Sequence, residues 1–379
     1  MNKKLVIILV IFLAIPIILV NCSLRPIKIQ QYYDKDNAQD KQSDLIVVGF
    51  SQLGSESDWR TANTKSIQNA LTVQNGFSLI FSNARQKQEN QIKDVRSFIF
   101  QEVDYIVIAP TTETGWDTVL EEAKEAGIPV ILVDRMIDTR DDSLYIASVG
   151  TDKYAEGKKA GHWLEQYLEK RTKANNDEEK DTSKEKDTSK DENTSEGKDT
   201  SKEKDNSEEN DSSDIVNIVV LEGTPNSTAQ IGRTSGFNDI ASKHKNWNIL
   251  ARENGDFTKA KGKEVMNELL RKHEDIDVLV SQNDDMTFGA IEAIQEAGLT
   301  CGVNGDIIII SFDAVSEAFD KMEAGLINVD IECNPLQGPL IAEIIERLER
   351  GEKVDKVSYV DEKIFEAENA STDRIGRSY

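Results

Sequence analysis

Histidine and cysteine are both scarce in this chain, with 3 of each among 379 residues. The histidines, His162, His244 and His273, fall on or beside helical patterns, and none has a cysteine or second histidine at metal-ligand spacing. No Gly-x-Ser-x-Gly elbow and no phosphate-binding glycine loop is present. These absences remove the common nucleophiles and metal centres, so the chain reads as a non-enzyme that needs no cofactor or metal. Paired carboxylates would admit a glycosidase, but Asp134 and Asp313 each have a simpler binding role. Asn283-Asp284-Asp285 lacks the spacing and closing glutamate of a calcium loop. Basic residues are in deficit, 45 against 69 acidic ones for a net charge of −24. No basic stripe interrupts that acidity, which excludes nucleic acid as a partner.

Long apolar runs are confined to the start of the chain. Asn2-Lys3-Lys4 is followed by an apolar stretch from Leu5 to Val20, broken only by Pro16, and then by Asn21-Cys22-Ser23. A basic start and a short apolar run read as an export signal, slightly short for a membrane-spanning helix. Leu19-Val20-Asn21-Cys22 resembles a bacterial lipobox, which makes Cys22 a lipidation site. The alternative is an uncleaved anchor, and either reading tethers the protein outside the cytoplasmic membrane. Residues 1–22 are thus the signal and anchor, and 23–43 a polar spacer. Cys301 and Cys333 would lie at opposite ends of parallel strands, so they are expected as two free thiols rather than a bridge.

From residue 44 onward, apolar runs of strand length alternate with amphipathic segments of helical period. IPVILVDR (128–135), IDVLVSQNDD (276–285) and DIIIISFDA (306–314) are too apolar for half-exposed antiparallel strands. They predict parallel strands covered by helices on both faces. The whole predicts an α/β fold of two Rossmann-like lobes with parallel sheets, joined by a multi-crossing hinge. Lobe one takes residues 44–150 and 334–357, and lobe two takes 151–333 and 358–379. Within lobe two, residues 172–213 are built from KDTSKE-like units. Between Lys173 and Asp214 there are 16 acids and 8 lysines and no apolar side chain larger than alanine. Such a segment cannot repay its ordering entropy and is expected to be a disordered charged insertion.

Ligands of open α/β sheets sit beyond the carboxyl ends of the strands. Asp134, Arg135, Asn283 and Asp313 fall there. The loop after the first strand adds Ser51, Glu56, Trp59 and Arg60, and Arg233 lies near the start of a lobe-two helix. Each alone has an ordinary structural explanation: an ion pair, a helix cap or a solvated side chain. Together, carboxylates that accept two hydroxyls, forked guanidinium donors and a ring for an apolar C–H face suit a sugar.

The strings VGFSQLGSESDWR (48–60), QKQENQIKDVRSFI (86–99) and DYIVIAPTTETGWDTVLEEAKEAGIPVILVDR (104–135) resemble the periplasmic sugar-binding proteins of ABC transporters. NGDFTKAKGKEVM (254–266), QNDDMTFGAIEAIQEAGL (282–299) and SFDAV (311–315) continue the likeness. The resemblance, to the ribose/galactose-binding branch, implies a type I two-lobe fold closing on a galactose- or galactofuranose-like monosaccharide. Carried over position by position, it implies contacts from Ser51, Glu56, Trp59, Arg60, Asp134, Arg135, Arg233, Asn283 and Asp313. Asp58 and Ala314 stand where the family pattern has glycine. The implied partners are an ABC permease, or a membrane histidine kinase or chemoreceptor if the role is sensory, and the implied state is a monomer.

Overall fold

The computed structural model of the protein describes residues 45–185 and 215–379. The signal, the spacer and Cys22 lie outside the described residues, as does the insertion from residue 186 onward. Among the described residues, no helix is long and apolar enough to cross a membrane.

Two six-stranded sheets organise the chain. The first contains β1 (Ile46–Gln52), β2 (Phe77–Asn83), β3 (Tyr105–Ile108), β4 (Val130–Val133), β5 (Ala147–Gly150) and β11 (Val357–Tyr359). Its spatial order is β11-β5-β4-β3-β1-β2, and every pairing is parallel. The second contains β6 (Val216–Glu222), β7 (Trp247–Asn254), β8 (Val278–Ser281), β9 (Ile308–Asp313), β10 (Val329–Glu332) and β12 (Ile364–Glu366). Its order, β12-β10-β9-β8-β6-β7, repeats that of the first, except that β12 runs antiparallel to β10. Near the end of the chain, β11 and β12 add one short strand to each sheet.

Helices cover both faces of both sheets, as the unbroken Val/Ile/Leu runs require. On the first sheet, α1 (Asp58–Ala70) and α9 (Gly338–Glu349) bury Ile67, Ile341 and Ile345 against Val48, Phe50 and Ile131. α2 (Gln88–Phe100) and α3 (Asp117–Glu125) bury Val95, Phe98 and Leu120 on the opposite face. On the second sheet, α4 (Lys153–Glu185) and α5 (Thr228–Ala241) cover one side. α6 (Lys259–Lys272), α7 (Asp284–Glu296) and α8 (Ser316–Glu323) cover the other, and the short α10 (Ala370–Asp373) packs beside α8. The chain passes between lobes after β5, after β10 and after β11.

Helix α4 continues to Glu185, into the segment expected to lack structure. A helix already nucleated by packed residues extends at little cost through good helix formers such as the Lys and Glu that follow.

The α4–α5 crossing depends on close backbone approach. A Cβ on Gly157 would lie 2.3 Å from the Arg233 carbonyl oxygen, and one on Gly236 would lie 2.1 Å from that of Tyr154. Gly157→Ala is therefore expected to cost about 1–3 kcal/mol through overpacking. Because α5 carries Arg233, it should also weaken ligand binding. A urea titration read by circular dichroism checks the first effect.

Candidate functional site

The carboxyl ends of the two sheets face each other across the lobe boundary, and there the chain concentrates buried charge. Trp59, Arg60, Asp134 and Arg135 from the first lobe meet Lys153, Arg233, Phe257, Asn283, Asp313 and Cys333 around one cavity. The space at this site is only about 20 Å³, too small for a monosaccharide with the lobes as they stand. A larger cavity of about 650 Å³ lies at the far end of the second sheet, lined by Leu168, Trp247 and Ile308 among others. It gathers residues of one lobe alone, and its charges do not converge as they do in the cleft.

The acids are aimed by unusual backbone. Asp134 follows β4 with φ of 65°, and Asp313 ends β9 with φ of 108°. Ala314 and Phe257 are also left-handed, at 59° and 57°. Residues with a Cβ adopt this region at a cost, and such strain clusters at ligand sites.

The Asp134 carboxylate accepts from Arg60 Nη2 at 2.7 Å and lies 3.1 Å from Lys153 Nζ. Burial opposes its charge, yet Lys153, Arg60 and Arg135 together hold it well below the usual carboxylate range. Arg60 Nε is held by Glu56 at 3.0 Å. Arg135 donates from Nη1 to the Thr111 carbonyl at 2.9 Å, and its guanidinium lies 5.6 Å from the Phe257 ring centre. Burial and the neighbouring Arg60 push Arg135 down to about 10. Arg60 Nη1 and Arg135 Nε are buried donors with no hydrogen-bond partner. Such orphans are rare and costly in a native interior.

In the second lobe, Arg233 joins Glu156 (2.6 Å), Asp313 (3.0 Å) and the Gln282 carbonyl. Asn283 caps α7 through the Met286 amide at 3.0 Å and donates to the Phe257 carbonyl at 3.2 Å. It combines the capping role with a place on the cavity wall. Across the boundary, the Trp59 indole packs into the hydrophobic cluster of lobe two, and its Nε1 donates to the Cys333 carbonyl. Further inter-lobe bonds run from the Met136 amide to Thr228 Oγ1 and from Thr228 Oγ1 to Glu113, both 2.8 Å. The Asp58 amide donates to Asp285 at 3.2 Å.

Seven of the expected residues therefore line the cavity: Trp59, Arg60, Asp134, Arg135, Arg233, Asn283 and Asp313. Glu56 stands behind Arg60 rather than on the wall. Ser51 lies off the cavity wall, and its hydroxyl donates to Asp94 at 2.7 Å. Side chains alternate faces along a strand, and Asp94 on α2 takes the Ser51 and Ser82 hydroxyls together.

Lys153, Glu156, Phe257 and Cys333 were missed. Lys153 follows the carboxyl end of β5, so the strand-end rule would have reached it. Phe257 gives no periodic signal. Both described cysteines are free and buried, and Cys333 accepts from Lys153 Nζ at 2.8 Å. Ligand atoms of Glu156, Cys333 and Glu362 lie within 4.8 Å of one another. Lys153 and Arg233 engage Glu156, Lys153 engages Cys333, and Lys159 lies 3.7 Å from Glu362, so cations of the chain already partner all three.

Several buried carboxyls make stability depend on pH. Burial and the adjacent Glu156 push Glu362 up to about 9, and burial pushes Asp330 and Asp285 up to about 7. Each holds a proton in the folded state that the unfolded chain releases above about pH 4.5. Stability is therefore greatest at mildly acidic pH and falls as pH rises through 7 and on to 9. After allowance for solvent screening, the expected loss between pH 5.5 and 9 is about 2 kcal/mol, or roughly 4–8 °C in Tm. Scanning calorimetry checks this, and Glu362→Gln should flatten the alkaline part.

Residues 48–353 match the periplasmic binding protein domain family. The chain is 36% identical over 298 residues to the galactofuranose-binding protein of Escherichia coli K12, covering 78% of this chain and 79% of that protein. Among solved structures, it is similar to the arabinose ABC transporter binding component of Shewanella sp. ANA-3 bound to α- and β-L-arabinofuranose. That likeness has 37% identity and a TM-score of 0.72, over 86% of this chain and 94% of that one. A Mycobacterium smegmatis protein in complex with β-D-fucofuranose matches with 38% identity and a TM-score of 0.73, over 86% and 93% of the two chains. Family match, two-lobe architecture and a charged inter-lobe cleft agree, and the chain belongs to the periplasmic binding protein family.

Proposed function

We propose that this protein captures a monosaccharide in its furanose ring form, galactofuranose-like, and delivers it to an ABC import permease. The observation that carries this reading is the pair of unpartnered buried donors, Arg60 Nη1 and Arg135 Nε, beside Asp134 in a cleft shared by both lobes. In this reading Arg60, Arg135 and Arg233 donate to hydroxyls and ring oxygen. Asp134 and Asp313 accept, Asn283 does both, and Trp59 and Phe257 cover the C–H face. Glu56 acts by fixing Arg60. The furanose reading draws on the relatives, whose names and bound ligands are furanoses. Affinity near micromolar, about −8 kcal/mol, suits a carrier that must release its cargo.

The ring form is tested by carbon-13 NMR of labelled galactose and arabinose bound to the protein. Furanose anomeric signals are expected, and a bound pyranose would overturn this part of the reading. A lipid on Cys22 would hold the protein, as a monomer, at the outer face of the cytoplasmic membrane. Cys22→Ala should then shift the protein from the membrane fraction to the medium, as read by immunoblot.

A further inference from the structure

The turn that presents Asp313 to the cleft is strained at two consecutive residues, with φ of 108° at Asp313 and 59° at Ala314. Alanine has no side-chain polar group to stabilise a left-handed conformation, so neighbouring groups must hold it. Three side chains outside the cleft do so. The Ala314 amide donates to Asp330 Oδ1 at 3.0 Å, and the next amide, Val315, donates to Asp284 Oδ2 at 2.8 Å. The Ala314 carbonyl accepts from Arg377 Nη2 at 3.0 Å. Arg377 is itself fixed from several sides. Its Nη1 donates to Glu332 at 2.7 Å, and its guanidinium lies within 5.0 Å of the Phe319, Phe365 and Tyr379 rings. Tyr379 bonds the same Glu332 oxygen at 2.6 Å, and its carbonyl accepts from Ser316 Oγ at 2.6 Å. Both faces of the Ala314 residue are therefore pinned, while on the cleft side the Asp313 carboxylate meets Arg233.

We infer that Arg377, Asp330 and Asp284 are positioning residues for the sugar site. They hold the left-handed Asp313–Ala314 turn so that the Asp313 carboxylate is aimed into the cleft before ligand arrives. The inference rests on the sugar-binding reading above and extends it to side chains that touch no ligand. Arg377, distant in sequence from every cleft residue, is its most specific element. Pre-organised acceptors bind more tightly because less ordering accompanies association.

The test compares Arg377→Ala, Arg377→Lys, Asp330→Asn and the wild type in two measurements. The first is hydrogen exchange at the Ala314 and Val315 amides without sugar. The second is calorimetric titration with D-galactose and L-arabinose. Arg377→Ala is expected to speed exchange at both amides about tenfold and to raise Kd about tenfold or more, with Lys recovering part of each. Asp330→Asn keeps an oxygen acceptor for the Ala314 amide but loses the charge beside Arg377, and should speed exchange at that amide and raise Kd by a smaller factor than Arg377→Ala does. Unchanged exchange and Kd in Arg377→Ala, or a lowered Tm without either change, would overturn the inference. A wild type that binds neither sugar contradicts the functional reading instead, and the exchange data still decide whether the turn is held as described.

Discussion

Asp134→Asn should abolish measurable sugar binding, a loss of at least about 100-fold, while the ligand-free protein melts within a few degrees of the wild type. The carboxylate is the common partner of Arg60 at 2.7 Å and Lys153 at 3.1 Å, with Arg135 Nε 3.9 Å away. Asparagine preserves the volume and removes the charge, leaving three cations facing one another in a closed, buried cleft. Breaking a buried pair by removing one partner costs about 3–5 kcal/mol, or roughly 10²–10³ in affinity. That cost falls on the closed form, because parted lobes let the cations hydrate, so it appears in binding far more than in melting. Titration calorimetry and a thermal melt on the same preparation measure both, and wild-type affinity in Asp134→Asn would remove Asp134 from the site.

The second large effect is expected at Trp59. Its indole comes from lobe one but is buried in the cluster of lobe two, and its Nε1 bond ends on the Cys333 carbonyl beside a hinge crossing. Trp59→Ala removes a contact made between the lobes. Large-to-small changes of this kind cost about 3–5 kcal/mol, and here that energy is the bias toward closure. The variant is expected to bind sugar about 100-fold more weakly. At saturating sugar it should also show a smaller decrease in radius of gyration by small-angle X-ray scattering. Trp59→Phe keeps the apolar ring without the donor and should fall between. Unchanged closure in Trp59→Ala would show that the clasp lies elsewhere, for instance at Met136–Thr228.

How far the sequence reached is clearest at the strand ends. The runs before Asp134, Asn283 and Asp313 are continuous Val, Ile and Leu because both faces of each sheet are covered, and that pattern marks a parallel strand and its carboxyl end together. The side chains at or just beyond the ends of β4, β8 and β9 were therefore legible. Ser51 was not, because strand alternation turns it toward α2, and only the fold shows Asp94 waiting there. Phe257 sits in a loop with left-handed backbone, a state that a phenylalanine does not advertise. Helix α4 runs past its expected end because composition forecasts average order, whereas a packed helix extends locally. Arg377 shares no local pattern with Asp313, and only the tertiary fold brings it to Ala314.

In this reading the inter-lobe cleft is a monosaccharide site. A thermal-shift screen of the purified protein against mono- and disaccharides, including galactose and arabinose, tests it most directly. A ligand that binds only the folded state raises Tm by mass action. A clear shift is expected with at least one aldose able to adopt the furanose form, and no such shift in Asp134→Asn. No shift across the whole panel would contradict it, and so would an equal shift in the variant.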